Sequence, residues 1–322
     1  MTEIVAADIG GTHARFALAE VDGGRVLRLG GQCTLNTADH EGLAAAWEAF
    51  GAAIGRPLPA AAGIALAGSV QGETLKLTNS EWVIRPARIT EELGAGNHVL
   101  VNDFGAVAHA VAQLGDEHFV HLCGPERPLP DEGVISIVGP GTGLGVAQLL
   151  RRDGGYHVLE TEGGHIDFAP LDSLEDRILA HLRSRYGRVS VERVASGTGL
   201  ANLFDALAAI EGRETRAMDE TALWKAALAG EDGPAAALDR FCRSLGAVAG
   251  DIALAQGAAA VVIGGGLGLR LAAHLPRSGF RVRFVAKGRF QARMAAIPVK
   301  IITHEQPGLF GAAAAFAAAQ GG

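Results

Sequence analysis

The chain has 322 residues, 48% of them apolar and 20% charged, with 45 glycines and a net charge of −7. That length predicts about two domains of ~150 residues each, with ample apolar material for two cores. An acidic chain in which no basic run exceeds two or three residues has no electrostatic footprint for nucleic acid, and no apolar segment reaches the ~20 residues of a bilayer span.

Cys33, Cys123 and Cys242 are far apart and form no Cys-x-x-Cys, which suits isolated thiols in a reducing compartment. No basic segment followed by a long apolar core opens the chain, so a cytoplasmic protein without a signal peptide is expected.

In chain order, Ile4-Val5-Ala6-Ala7 reads as a buried strand running into Asp8-Ile9-Gly10-Gly11-Thr12, and apolar residues resume with Arg15-Phe16-Ala17-Leu18-Ala19. The pattern is strand–turn–strand, where a P-loop or dinucleotide site gives strand–turn–helix. Glycine lets backbone N–H groups come close to an anion, and threonine adds a hydroxyl donor. Asp22-Gly23-Gly24 predicts a hairpin turn into a third strand over Val26–Cys33. Helical spacing predicts a helix over Glu41–Ile54, and Ala62–Leu66 is a short buried strand. A turn-rich stretch over Gly68–Gly72 and a polar loop over Thr78–Trp82 flank Leu75-Lys76-Leu77. Val99-Leu100-Val101 is a buried strand ending at Asn102-Asp103, and Phe104–Leu114 is a helix.

The second half repeats the plan. Ile135-Ser136-Ile137-Val138 leads into Gly139-Pro140-Gly141-Thr142-Gly143, and Leu144-Gly145-Val146-Ala147 continues as hairpin strand to about Leu150. Two such turns facing each other would grip the phosphates of a nucleotide. Helices are predicted over Ser173–Tyr186, Val191–Val194, Gly199–Glu211, Glu220–Ala229 and Pro234–Ala255, with a solvated connection over Gly212–Asp219. Ala260–Ile263 is a buried strand that Gly264-Gly265-Gly266 turns into a helix near Leu267–Ala273, and Gly311–Ala319 is an alanine-rich helix. No low-complexity linker separates the halves, so they are expected to pack along a cleft.

Asn102-Asp103 sits at the end of a buried strand, where α/β folds place ligand groups. Asp103 can act as general base toward a substrate hydroxyl, with Asn102 bonding a neighbouring one. Asp103 can also cap the helix that follows, a contribution of ~1 kcal/mol, and the two roles are compatible. Glu162-Gly163-Gly164-His165-Ile166-Asp167 gathers two carboxylates and an imidazole beside two glycines. Its spacing is not His-Glu-x-x-His, which leaves a ligand-facing loop or a solvated turn. Glu192 precedes Ser196-Gly197-Thr198-Gly199, which fits a helix start near an anion or ribose. Gly264–Gly266 reads as a nucleotide turn or as a tight structural one.

Asp8–Thr12, Asn102-Asp103-Phe104, Gly139–Gly145, Glu162–Phe168, Glu192-Arg193-Val194 with Ser196-Gly197, Lys287-Gly288-Arg289-Phe290 and Pro307-Gly308-Leu309 occur in this order along nearly the whole chain. Together they resemble the bacterial glucokinase family of the actin-like sugar kinase superfamily. The resemblance implies a two-domain α/β fold, actin-like and ribonuclease H-like. Its cleft would lie between a small domain of residues 1–112 plus 304–322 and a large domain of residues 113–303.

The implied reaction is ATP-dependent phosphorylation of D-glucose at the 6-hydroxyl, giving glucose 6-phosphate and ADP, as the first step of glucose catabolism. A cytoplasmic homodimer using ATP and Mg²⁺ is implied with it. Asp103 would be the base, and Asn102, Asp103, Glu162, His165 and Glu192 would bind the sugar. Ala7, Asp8, Ile9, Gly10, Gly11 and Thr12, with Gly141, Thr142 and Gly143, would hold the phosphates and Mg²⁺, Asp8 acting on the ion through water. Gly265 and Gly266 would lie against adenosine. His13, Pro140 and Ala286 depart from the residues more usual in the family.

The repressor/open-reading-frame/kinase family shares Glu-Gly-x-His but follows it with a cysteine-rich zinc motif. That motif is missing here, so no structural zinc is expected. The alternatives are a kinase of the same fold for mannose, fructose or an N-acetylhexosamine, and a non-catalytic sugar sensor. A repressor would carry a basic helix-turn-helix; neither nucleic acid nor a membrane is an expected partner.

Overall fold

The computed structural model describes residues 1–68, 72–77, 80–213 and 218–321. The expected turn over Gly68–Gly72, the loop over Thr78–Trp82 and the connection over Gly212–Asp219 lie partly outside the described residues. The chain divides into two compact units, Met1–Gly115 with Val158–Glu160 and His304–Gly322, and Asp116–His157 with Thr161–Thr303.

In the first unit β1 (Thr2–Ile9) and β2 (His13–Asp22) form an antiparallel hairpin, and β3 (Arg25–Asn36) pairs with β2. The chain continues through α1 (Leu43–Ile54), β4 (Ala61–Leu66), the short pair β5 (Leu75–Lys76) and β6 (Val83–Ile84), α2 (Ile89–Leu93), β7 (Asn97–Asn102) and α3 (Asp103–Gln113). The sheet order is β3-β2-β1-β4-β7, with β1, β4 and β7 parallel.

Alternation along β1 sorts its side chains between two layers. Val5, Ala7 and Ile9 join the core with α1, where Phe16 stacks on Phe50 at 5.3 Å and meets Trp47 edge-on at 6.1 Å. Ile4 and Ala6 pack on the opposite side with Leu309 and Phe316 of the last helix.

The second unit runs β8 (Phe119–Cys123), β9 (Gly133–Pro140), β10 (Leu144–Arg152), β11 (Gly155–Thr161), α4 (Ser173–Tyr186), α5 (Gly197–Glu211), α6 (Glu220–Ala229) and α7 (Pro234–Gln256). It closes with β12 (Ala260–Ile263), α8 (Gly265–Arg270), α9 (Phe280–Val285), α10 (Gln291–Ala295) and β13 (Val299–Ile302). The sheet order is β11-β10-β9-β12-β13-β8. This is the order of the first sheet, strand for strand, with β8 added antiparallel at one edge.

The last helix, α11 (Pro307–Gln320), returns to the first unit and packs on β1, β4 and α3. It is buried from Leu309 to Ala317 save Phe310, and its run of alanines permits close packing on both sides. No helix among the described residues is long and apolar enough to cross a membrane.

Candidate active site

In the first unit the carboxyl ends of the parallel strands are in register: Ile9 pairs with Leu66, and Leu66 with Asn102. The Gly10–Thr12 turn and Asn102-Asp103 therefore leave the same sheet edge, two strand spacings or about 10 Å apart. The turn is closed by the Gly10 N–H donating to the His13 carbonyl at 2.9 Å. Thr37 fastens it from outside, its hydroxyl donating to the Gly11 carbonyl at 2.7 Å and its N–H to the Thr12 carbonyl at 3.0 Å. A cavity of about 770 Å³ opens beside the turn, lined by Gly11, Thr12, Thr37, His40, Glu41 and Trp82 among others. Ala7 and Ile9 bury their side chains, so what they can offer a ligand is backbone.

Asp8 shares the strand face of Ile4 and Ala6 and so points toward α11. A Cβ placed on Gly308 would sit 2.8 Å from Asp8 Oδ2, and Arg15 Nη1 lies 3.4 Å from the same oxygen. Burial pushes the Asp8 carboxyl above its ordinary value, and Arg15 pulls against that shift. A carboxylate so placed gains from an added cation, so Asp8 fits the hard, oxygen-seeking Mg²⁺ that the sequence leads one to expect.

Asn102, with φ −64° and ψ 151°, is the N-cap of α3. Its Oδ1 accepts the N–H groups of Phe104 at 2.8 Å and Gly105 at 3.2 Å, and its Nδ2 donates to the Gly68 carbonyl at 2.9 Å. The cap considered for Asp103 thus falls to its neighbour, because the helix begins one residue earlier than expected. Asp103 stands in the first turn, partly buried, with Oδ1 accepting the Phe104 N–H at 2.9 Å. Glu160, unmarked by any sequence pattern, accepts the Asn102 backbone N–H at 2.6 Å.

The second unit repeats the edge: Val138 pairs with Ile263, and Ile263 with Ile301. The Gly141–Gly143 turn is closed by the Gly141 N–H donating to the Gly143 carbonyl at 2.8 Å. The Gly264–Gly266 turn abuts it. Gly264 N–H donates to the Val138 carbonyl at 2.9 Å. At Gly265, φ is +75° and a Cβ would meet the Pro140 carbonyl oxygen at 2.5 Å, so this position requires glycine.

Glu162 precedes and His165 ends a single helical turn, Gly163–His165, after β11, and both residues are exposed. Gly164 lies directly on Leu144, whose carbonyl oxygen a Cβ would approach to 1.9 Å. Glu192 stands in a similar turn, Val191–Arg193. The Val191 N–H donates to the Ile166 carbonyl at 2.9 Å and the Phe168 N–H to the Val189 carbonyl at 3.0 Å, pairing the two segments. Glu192 Oε2 accepts the Leu144 N–H at 2.9 Å.

The expected residues thus fall into two sets. Ala7–Thr12, Asn102 and Asp103 belong to the first unit; Gly141–Gly143, Glu162, His165, Glu192, Gly265 and Gly266 belong to the second.

The glucokinase family profile matches residues 5–319. A glucokinase of Zymomonas mobilis is 65% identical over 316 residues, covering 98% of each chain. The chain belongs to the glucokinase family. It is an ATP-dependent sugar kinase with the actin-like fold. The crystal structure of a glucokinase from an Antarctic psychrotroph matches this one with a TM-score of 0.84 at 34% identity, covering 98% of each chain. That of a Balamuthia mandrillaris glucokinase in complex with glucose shares the fold at a TM-score of 0.80 and 21% identity, covering 99% of this chain and 94% of the other. Of the stretches that carry the likeness to glucokinases, Lys287-Gly288-Arg289-Phe290 has a scaffolding part. Lys287 Nζ pairs with Asp251 at 2.8 Å and donates to the Ala247 carbonyl at 2.9 Å, tying the segment to α7.

Proposed function

We propose that this protein transfers the γ-phosphoryl group of ATP to the 6-hydroxyl of D-glucose, giving glucose 6-phosphate and ADP. The observation that carries the residue assignment is the shared edge of the first sheet. There Asp103, which the α3 cap does not require, follows the strand that ends in register with the Gly10–Thr12 turn. In this reading the Asp103 carboxylate takes the proton of the 6-hydroxyl as its oxygen attacks the γ-phosphorus. The bond from that phosphorus to the bridging oxygen breaks, and ADP leaves with the electron pair. Glu162, His165, Glu192 and the second amide N–H of Asn102 bind the remaining hydroxyls through hydrogen bonds that the charged groups strengthen. Thr12 and Thr142, with Gly11 and Gly143, offer N–H and hydroxyl donors to the phosphates, Gly10 and Gly141 spend their N–H groups on closing the two turns, and Gly265 and Gly266 border the adenosine. Asp8 would hold Mg²⁺, which when bound would supply positive charge to offset that of the phosphates. The same reading makes the protein a cytoplasmic homodimer that opens glucose catabolism.

A coupled ADP-release assay over glucose, mannose, fructose and N-acetylglucosamine tests this. Glucose should exceed N-acetylglucosamine by at least ~10²-fold in kcat/KM, because a site built for a hydroxyl rejects analogues lacking it. Asp103→Ala should lower kcat at least ~10²-fold with little loss of stability. A preference for fructose or N-acetylglucosamine would make this a kinase of another hexose. Near-wild-type turnover in the variant would remove Asp103 as the base.

A further inference from the structure

A turn that presents N–H groups to a phosphate works best when their directions are set before the ligand arrives. Gly141-Thr142-Gly143 has little shape of its own, since two of its three residues are glycine and Thr142 is exposed. Its shape comes from three hydrogen bonds. One is internal, from the Gly141 N–H to the Gly143 carbonyl at 2.8 Å, and a second comes from the Gly197 N–H to the Gly141 carbonyl at 2.7 Å. The third runs from the Leu144 N–H, the first beyond the turn, to Glu192 Oε2 at 2.9 Å. The carboxylate also lies over the turn itself, for a Cβ on Gly143 would stand 2.5 Å from Glu192 Oε2. Of the three, this last is the bond with an ionised acceptor, which is the stronger kind.

We infer that Glu192, besides binding sugar, is a positioning residue for the second phosphate turn, so that one carboxylate serves the sugar and the nucleotide together. The inference rests on the reading above, in which Gly141–Gly143 holds phosphate and Glu192 faces sugar. Oε2 is committed to the Leu144 N–H, and Oε1 is the oxygen a sugar hydroxyl would take. A hydroxyl arriving on Oε1 redistributes charge on the group that holds the turn, which couples the two binding events.

The test is the affinity of the sugar-free enzyme for Mg²⁺–AMPPNP, by calorimetry, in the wild type, Glu192→Ala, Glu192→Gln and Thr142→Ala, with glucose affinity and thermal melts measured in parallel. Glu192→Ala should weaken AMPPNP at least ~10-fold although no sugar is present, as loss of a charge-assisted bond predicts. Glu192→Gln keeps an acceptor for the Leu144 N–H and should stay within ~3-fold of the wild type for AMPPNP. Both variants should lose glucose affinity. Wild-type AMPPNP binding in Glu192→Ala, with Thr142→Ala weakened, would leave Glu192 a sugar ligand alone and overturn the inference while the turn keeps its phosphate role. No effect in either variant would overturn the phosphate role of the turn and the inference with it. Should Glu192→Ala not fold, Gly143→Ala decides. Its methyl group displaces the carboxylate without removing it, and unchanged AMPPNP binding there would overturn the inference.

Discussion

At the first turn, Gly10–Thr12, a neutral hydroxyl from Thr37 holds the Gly11 carbonyl; at the second, Gly141–Gly143, a carboxylate from Glu192 holds the Leu144 N–H. Burial follows the same sequence of classes in residues 11–20 and 141–150, so the two hairpins sit alike in their sheets. Their polar fittings differ. With Gly11-Thr12 matched to Gly141-Thr142, the position of Asp8 is taken by Val138. In the first unit the acid belongs to the strand before the turn, whereas in the second it reaches in from a segment about fifty residues on. Alternation and glycine set the backbone frame of both turns, and the frame accepts either kind of fastening. A strand-borne carboxylate is thus a feature of the first copy alone, and it is there that the proposed cation would be held.

The sharpest way to break that assignment is Asp8→Asn. The amide keeps the shape and loses the charge, so kcat should fall at least ~10²-fold, the scale of a lost metal contribution. Stability should move the other way. A carboxyl raised above its unfolded value of 3.8 adds stability below that pH and forfeits it as the pH rises through the folded value. An amide has no charge to desolvate, so the variant should melt at the same temperature or higher. Activity assays against Mg²⁺ with parallel melts would check both. Full activity in Asp8→Asn would mean that the cation does not depend on the first turn.

Both turns were legible in the chain, because glycine and threonine between apolar runs leave few alternatives to a hairpin. Helices α4 and α6 lie where periodicity places them, each entered through an aspartate cap: Asp172 accepts the Glu175 N–H at 2.9 Å and Asp219 the Ala222 N–H at 2.7 Å. Strand β11 was not legible, since Gly155–Thr161 has Leu159 exposed at the sheet edge and no apolar run. Nor was β13, where Lys300 interrupts four residues and is buried only because its Nζ reaches Asp116 at 2.9 Å. The fasteners were equally hidden. Thr37 acts 26 residues from Gly11, and Glu160 acts 58 residues from Asn102. Local patterns carry no trace of pairings made by tertiary structure. At Asn102-Asp103 a shift of one residue in the helix start was enough to move the cap.

The comparison extends to acid. In the first unit, burial pushes the His109 imidazole on α3 down to about 4. A histidine held neutral contributes stability that is whole above its unfolded value of 6.5 and drains away as pH falls toward the folded value, because the unfolded chain binds the extra proton. In the second unit, α4 and α9 are joined instead by Arg283 and Glu175, at 2.5 and 2.9 Å. Between pH 6.5 and 4 the first unit should therefore open more readily than it does at neutral pH. Hydrogen exchange should show α3 and α11 losing protection over that range, and His109→Gln should flatten the change. Parallel loss in both proteins would take His109 out of the account.

The smallest expected effect concerns the neutral fastening. Thr37→Val removes the hydroxyl that donates to Gly11 but keeps the backbone N–H that donates to Thr12, so half of the clasp survives. Valine is close to threonine in volume, and residue 37 is buried, so the packing should hold. What is lost is one neutral hydrogen bond, worth ~1 kcal/mol. The Gly11 carbonyl, only partly buried, can recover a water molecule, which trims the loss further. AMPPNP should therefore bind Thr37→Val no more than ~5-fold more weakly than the wild type, since ~1 kcal/mol corresponds to that factor. That is less than the effect expected of Glu192→Ala at the matching turn, because a charge-assisted bond is about twice as strong as a neutral one. The two variants measured side by side compare the copies directly. Equal losses would mean that the charge of Glu192 adds nothing beyond its geometry, and that two different side chains hold the two turns with the same strength.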